Sequence, residues 1–127
     1  MEVDFRKNYL EARELVAKEL KEKYNLVESY RDNDRLTLDS SNYSIHLTFF
    51  VPDGDNVSVS EKGKESGYGK SFMNIVAQKF PKRDEMISFL KILFSDTKPY
   101  DYTSQTIKRK LQKKIIFFEQ QFPEYFI

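Results

Sequence analysis

Tyr43-Ser44-Ile45-His46-Leu47-Thr48-Phe49-Phe50-Val51 is the stretch that decides the fold. Tyr43, Ile45, Leu47, Phe49 and Val51 alternate with Ser44, His46, Thr48 and Phe50. A period of two is the mark of a strand with one face turned to a core. Outward on the N-terminal side, Leu26–Arg31 and Arg35–Asp39 read as short strands joined by Asp32-Asn33-Asp34, a cluster of turn formers. On the C-terminal side, Pro52-Asp53-Gly54-Asp55-Asn56 reads as a tight turn, from which Val57–Ser60 returns. Connections this short make the strands antiparallel. The apolar face of such a meander needs a cover.

Helical periods on both sides supply it. Over residues 4–24, Phe5, Tyr9, Ala12, Val16 and Leu20 fall in a narrow arc, with Asp4 suited to cap the start and Asn25 to a left-handed stop. Pro81 breaks the chain, and Lys82–Ser95 reads as a helix burying Met86, Phe89, Leu90 and Leu93. A last helix runs from Ser104 to Gln121, with Ile107, Leu111, Ile115, Phe118 and Phe122 as its buried stripe. Between Lys70 and Pro81, Phe72, Val76 and Phe80 fit either period; we read Ser71–Phe80 as a fifth strand. The expectation is one α+β domain over residues 1–127: an N-terminal helix, an antiparallel meander of four or five strands, and two C-terminal helices packed on one face of the sheet.

Composition limits the chemistry. The chain has 127 residues, no Cys and one His, so disulfides, thiolate metal sites and cysteine nucleophiles are excluded. With 11 Phe and 8 Tyr it is too aromatic for a disordered chain. No run approaches the roughly 18 apolar residues of a membrane helix. Met1-Glu2-Val3-Asp4 lacks the layout of a secretory signal, so the reading is a cytoplasmic protein without a membrane partner. The net charge is +1, but residues 25–60 carry two basic against six acidic side chains, and residues 98–127 six against three. Such a molecule has a dipolar surface.

Motifs with catalytic chemistry are incomplete. Gly69-Lys70-Ser71 ends like a phosphate-cradling loop, yet five residues separate it from Gly63 where that loop needs four, and it follows a meander rather than a parallel strand. It reads as a flexible basic loop. Asp32-Asn33-Asp34 and Asp53-Gly54-Asp55-Asn56 each offer two carboxylates, too few for calcium, and read as turns. His46 shares its strand face with Ser44 and Thr48; no motif selects a catalytic partner for it or excludes one, and we read it as an ordinary half-exposed strand residue. No metal or cofactor is expected.

The last helix is the candidate binding surface. Lys108, Arg109, Lys110, Lys113 and Lys114 place five cations in seven residues. Arg109, Lys110, Lys113 and Lys114 lie opposite or beside the buried stripe, with Phe117 among them and Ile116 also outside it. Two readings stand. One is a solvated basic face, with Phe117 and Ile116 packed on a neighbouring loop or the C-terminal tail. The other is a partner surface, in which an exposed aromatic among cations supplies an apolar anchor and steering charge. Phe117 and Ile116 exposed together would also allow a two-fold homodimer contact.

In size, in lacking catalytic motifs and in its helix–meander–helix–helix order, the chain resembles the small bacterial immunity proteins that neutralise polymorphic toxins. The resemblance is one of general form over the whole length and carries over no binding residue. What it implies is a non-enzymatic protein-interaction module, a toxin inhibitor binding a toxin domain through a charged surface. A second reading is a nucleic-acid-associated protein using the basic helix and the Lys62–Lys70 loop. A third is a small enzyme or nucleotide binder whose site is assembled in space.

Overall fold

The computed structural model describes residues 4–50, 54–62, 70–98 and 101–126. The elements run α1 (Phe5–Tyr24), β1 (Val27–Arg31), β2 (Arg35–Asp39), β3 (Tyr43–Phe50), β4 (Gly54–Glu61), β5 (Lys70–Ser71), α2 (Phe72–Lys79), α3 (Arg83–Leu93) and α4 (Ser104–Gln121), closed by a 3-10 turn at Pro123–Phe126. Each α1 boundary has a local cause. The Asp4 carboxylate accepts a hydrogen bond from the Lys7 amide at 2.9 Å. Asn25 turns the chain off in the left-handed region, at φ 55°.

The five strands lie in the order β1-β2-β3-β4-β5, all pairs antiparallel. Register follows the apolar residues: Leu36 opposes Leu47, which opposes Val57, and Leu38 opposes Ile45, which opposes Val59. These six side chains are at most 1% exposed and share one core cluster with buried residues of α1, α2 and α4. The Tyr9 ring of α1 meets the Phe49 ring of β3 at 4.8 Å. The edge strand β1 carries a bulge between Glu28 and Tyr30. It is tied to α1 by Lys21–Glu28 at 3.1 Å and by Arg31, which pairs with both Glu14 and Glu28. Arg31, with help from Lys21, holds the Glu28 carboxyl down at about 2. Bulges and charges of this kind keep an edge from pairing with another chain.

Four expectations are corrected. Residues 72–79 are the helix α2, and the fifth strand is only Lys70–Ser71. The deciding residue is Ile75: with Phe72 and Val76 it makes a buried i, i+3, i+4 face, whereas a strand would set Ile75 opposite both. Ser71 caps this helix, accepting from the Asn74 amide at 3.4 Å. Second, β4 begins at Gly54 rather than Val57, because Thr48, Phe49 and Phe50 go on pairing with Asn56, Asp55 and Gly54. A register fixed by four buried aliphatics overrides turn propensity in those three residues. The reversal itself, at 51–53, lies outside the described residues. Third, Phe5 is 44% exposed and packs edge-on against Tyr102 rather than joining the α1 stripe. Fourth, α3 buries no residue fully; Met86, Phe89, Leu90 and Leu93 are only partly covered.

Candidate functional site

The basic side of α4 is where the sequence points, and its cations are engaged at home. Asp96, in the turn after α3, accepts Arg109 Nε at 2.9 Å and Lys113 Nζ at 2.6 Å. Lys113 also donates to the Leu93 carbonyl at 2.6 Å. Together Lys113 and Arg109 hold the Asp96 carboxyl below the usual carboxylate range. Lys108 pairs with Glu19 of α1 at 3.3 Å, and Gln112 donates to the same carboxylate at 2.9 Å. Lys110 Nζ lies 5.8 Å from the Tyr102 ring centre and Lys114 Nζ 5.6 Å from that of Phe72, both within cation–π reach.

The aromatic placed among these cations is not at the surface. Phe117 is 3% exposed, edge-on to Phe72 at 5.3 Å and 5.6 Å from Phe89. Of the two readings of Phe117, the exposed anchor is therefore corrected to a core residue, and the two-fold contact built on Phe117 with Ile116 loses one of its two residues. Ile116 itself is 46% exposed. The cause is tertiary: α1 meets one flank of α4 while α2 and α3 meet another, so the buried arc is wider than one stripe. The run Ile115-Ile116-Phe117-Phe118 signals this, since four consecutive apolar residues cannot share a single helical stripe.

His46 is likewise corrected, from half-exposed to 3% exposed. It belongs to the second face of the sheet, where Thr37, Ser44, His46, Thr48, Ser58 and Ser60 are all buried. Thr37 Oγ1 lies 2.9 Å from Nδ1 and Ser60 Oγ 2.8 Å from Nε2, so the ring ties β2 to β3 and β3 to β4. Burial, with the positive charge of Arg35 nearby, pushes its pKa down to about 4, against a smaller opposing effect of Asp39. A neutral imidazole has one donor and one acceptor nitrogen, and two rotatable hydroxyls satisfy both. A serine beside a histidine invites a nucleophile–base reading. However, a base this weak takes up little proton at neutral pH, and Thr37 offers no carboxylate to stabilise an imidazolium. As built, the trio is a cross-strand tie.

The acidic turn at Asp32–Asp34 is consumed locally. Asp32 Oδ1 accepts the Asp34 and Arg35 amides at 2.8 and 2.7 Å, Oδ2 accepts the Tyr30 hydroxyl at 2.5 Å, and Asp34 pairs with Arg6 at 2.6 Å. Among the described residues, no three acidic or histidine side chains are placed to hold a metal. Of the phosphate-loop pattern, Gly63–Gly69 lie outside the described residues. Lys70 turns to aromatic rings instead, with Nζ 4.4 Å from the Phe122 ring centre and donating to the Tyr125 hydroxyl at 3.2 Å. Among the described residues, no helix is long and apolar enough to cross a membrane.

Charged side chains without a partner among the described residues line the outer face of α3, as they do the Glu11, Lys18 and Glu22 side of α1. Asp84, Ser88, Lys91 and Ile92 stand at i, i+4, i+7 and i+8, one face of a helix, and all are exposed. Ile92 is 74% exposed, and among the described residues Asp84, Glu85 and Lys91 make no ion pair or side-chain hydrogen bond. Lys82 and Arg83 at the start of α3 are equally unpaired among the described residues. Sequence reading passes over this face because its charges are mixed and few. No protein-family model, no curated protein and no solved structure matches the chain.

Proposed function

We propose that the chain is a non-enzymatic protein-interaction module of the toxin-inhibitor kind, and that it meets its partner through the outer face of α3 rather than through α4. The observation that carries the reading is Ile92, 74% exposed between side chains that have no partner among the described residues. An aliphatic anchor flanked by free charges of both signs suits a partner with a complementary mixed surface, because those charges desolvate without first breaking an ion pair. Phosphate contacts through α4 would instead compete with Asp96 for Arg109 and Lys113, and with Glu19 for Lys108.

The test is quantitative affinity isolation from the source cells with wild type, Ile92→Asp, Lys91→Glu and Lys110→Gln. A protein recovered by wild type and Lys110→Gln, and lost with the two α3 variants, supports the reading. Recovery of the same protein by all four variants overturns the α3 surface. Salt-sensitive nucleic-acid binding lost in a variant with Arg109, Lys110, Lys113 and Lys114 neutralised would replace it with the nucleic-acid reading.

A further inference from the structure

Helix α3 stands apart from the other helices in how it is held. Its inner side lays Met86, Phe89, Leu90 and Leu93 against the core without burying any of them fully, and its ring contacts are few. Phe89 stacks on Phe80 at 4.7 Å and meets Phe117 at 5.6 Å, while Phe94, just past the helix, is edge-on to Phe72 at 6.0 Å. Phe72 and Phe117 are themselves 1% and 3% exposed, so an aromatic floor lies beneath a helix that has no fully buried residue of its own.

The two ends of the segment differ. At its start, Pro81 lacks a backbone donor and Lys82 caps α3 without a side-chain hydrogen bond. At its end, the Thr97 amide and hydroxyl both donate to the Phe94 carbonyl, at 3.0 and 2.8 Å, and so fix a turn that presents Asp96. Every side-chain ion pair or hydrogen bond described between residues 82–97 and the rest of the protein runs to two residues of α4. Arg109 and Lys113 bind Asp96, and Lys113 also binds the Leu93 carbonyl. Asp96 and Arg109 are 44% and 49% exposed, so salt screens this contact.

We propose that residues 82–97 form a cover that lifts as a unit from the Phe72 and Phe117 floor, latched shut by Asp96 on Arg109 and Lys113. Elements with little buried area and screened polar ties open ahead of the global transition. Opening exposes two large rings at once, an apolar surface of the kind that an amphipathic helix recognises. The device is distinct from the partner surface proposed above and stands or falls without it.

Amide hydrogen exchange on the whole chain at neutral pH tests it. Amides of Met86–Leu93 are expected to exchange at least about tenfold ahead of those of Ile107–Phe118. Asp96→Asn is expected to speed α3 exchange by roughly threefold and leave α4 unchanged. Added salt should do the same to wild type and nothing further to Asp96→Asn. Lys110→Gln, which removes a cation away from the latch, should match wild type. The cover is overturned if α3 exchanges at the rate of α4, or if Asp96→Asn leaves α3 unaltered. Equal acceleration of both helices would also overturn it, since that marks global destabilisation instead of a latch.

Discussion

Helices α3 and α4 are both amphipathic, and both carry charge on the side away from their apolar residues. In α4 the charge is knitted inward: Lys108 to Glu19, Arg109 and Lys113 to Asp96, Lys110 and Lys114 over rings. In α3 the outer charges have no partner among the described residues, and the inner side is only partly covered. The helix with the larger charge run is therefore the one whose charges are engaged within the fold. A count of cations measures what a surface could offer, whereas its availability depends on what the rest of the fold sets opposite it. The polar face of the sheet belongs with α4 in this contrast, since His46 bonds the Thr37 and Ser60 hydroxyls and Ser44 donates to Asp39.

The sharpest way to break the comparison is Phe117→Ala. If Phe117 is core, its removal should cost about 3–5 kcal/mol in urea unfolding, the range for truncating a buried aromatic. A loss below about 1 kcal/mol would return Phe117 to the surface. The second test is pH. The folded pKa of His46, about 4, lies below its ordinary 6.5, so the unfolded chain takes up this proton first. Stability from the neutral ring is complete above pH 6.5 and declines as pH falls toward 4, by about 2 kcal/mol at pH 4.5. Glu28, held at about 2, loses its contribution only below its ordinary 4.5, so the two windows separate. His46→Gln should flatten the unfolding profile between pH 6.5 and 4.5, and an unchanged slope would place the imidazole in water.

Thr37→Val comes next, because it leaves one nitrogen of a buried imidazole without its partner. About 1–3 kcal/mol is expected from equilibrium unfolding, and a neutral result would reduce the cross-strand tie to a contact. The smallest effect should be Ile92→Ser, within about 0.5 kcal/mol, as for exposed positions generally. A large loss there would mean that α3 presents its other side, and the contrast between the helices would collapse.

Much of this was legible beforehand where a residue's role depends on neighbours in sequence. The Asp4 cap, the Asn25 stop, the alternation in β3 and the long period of α4 are local properties, and the structure keeps them. Residues 72–79 were ambiguous because Phe72, Val76 and Phe80 suit both periods; Ile75 held the answer. The candidate site was less legible. The positions of Lys108, Arg109, Lys110, Lys113 and Lys114 on α4 followed from spacing. The identity of their partners did not, since Glu19 and Asp96 come from elements distant in the chain.

By itself, the sequence determined that an antiparallel sheet with one aliphatic face would form and that amphipathic helices would flank it in the chain, because periodicity is written residue by residue. Tertiary structure alone decided that Phe117 is core, that His46 is buried and neutral, and that Ile92 stands in solvent. Burial and charge pairing depend on which surfaces come together, and one helix's own pattern cannot say how many neighbours it will have.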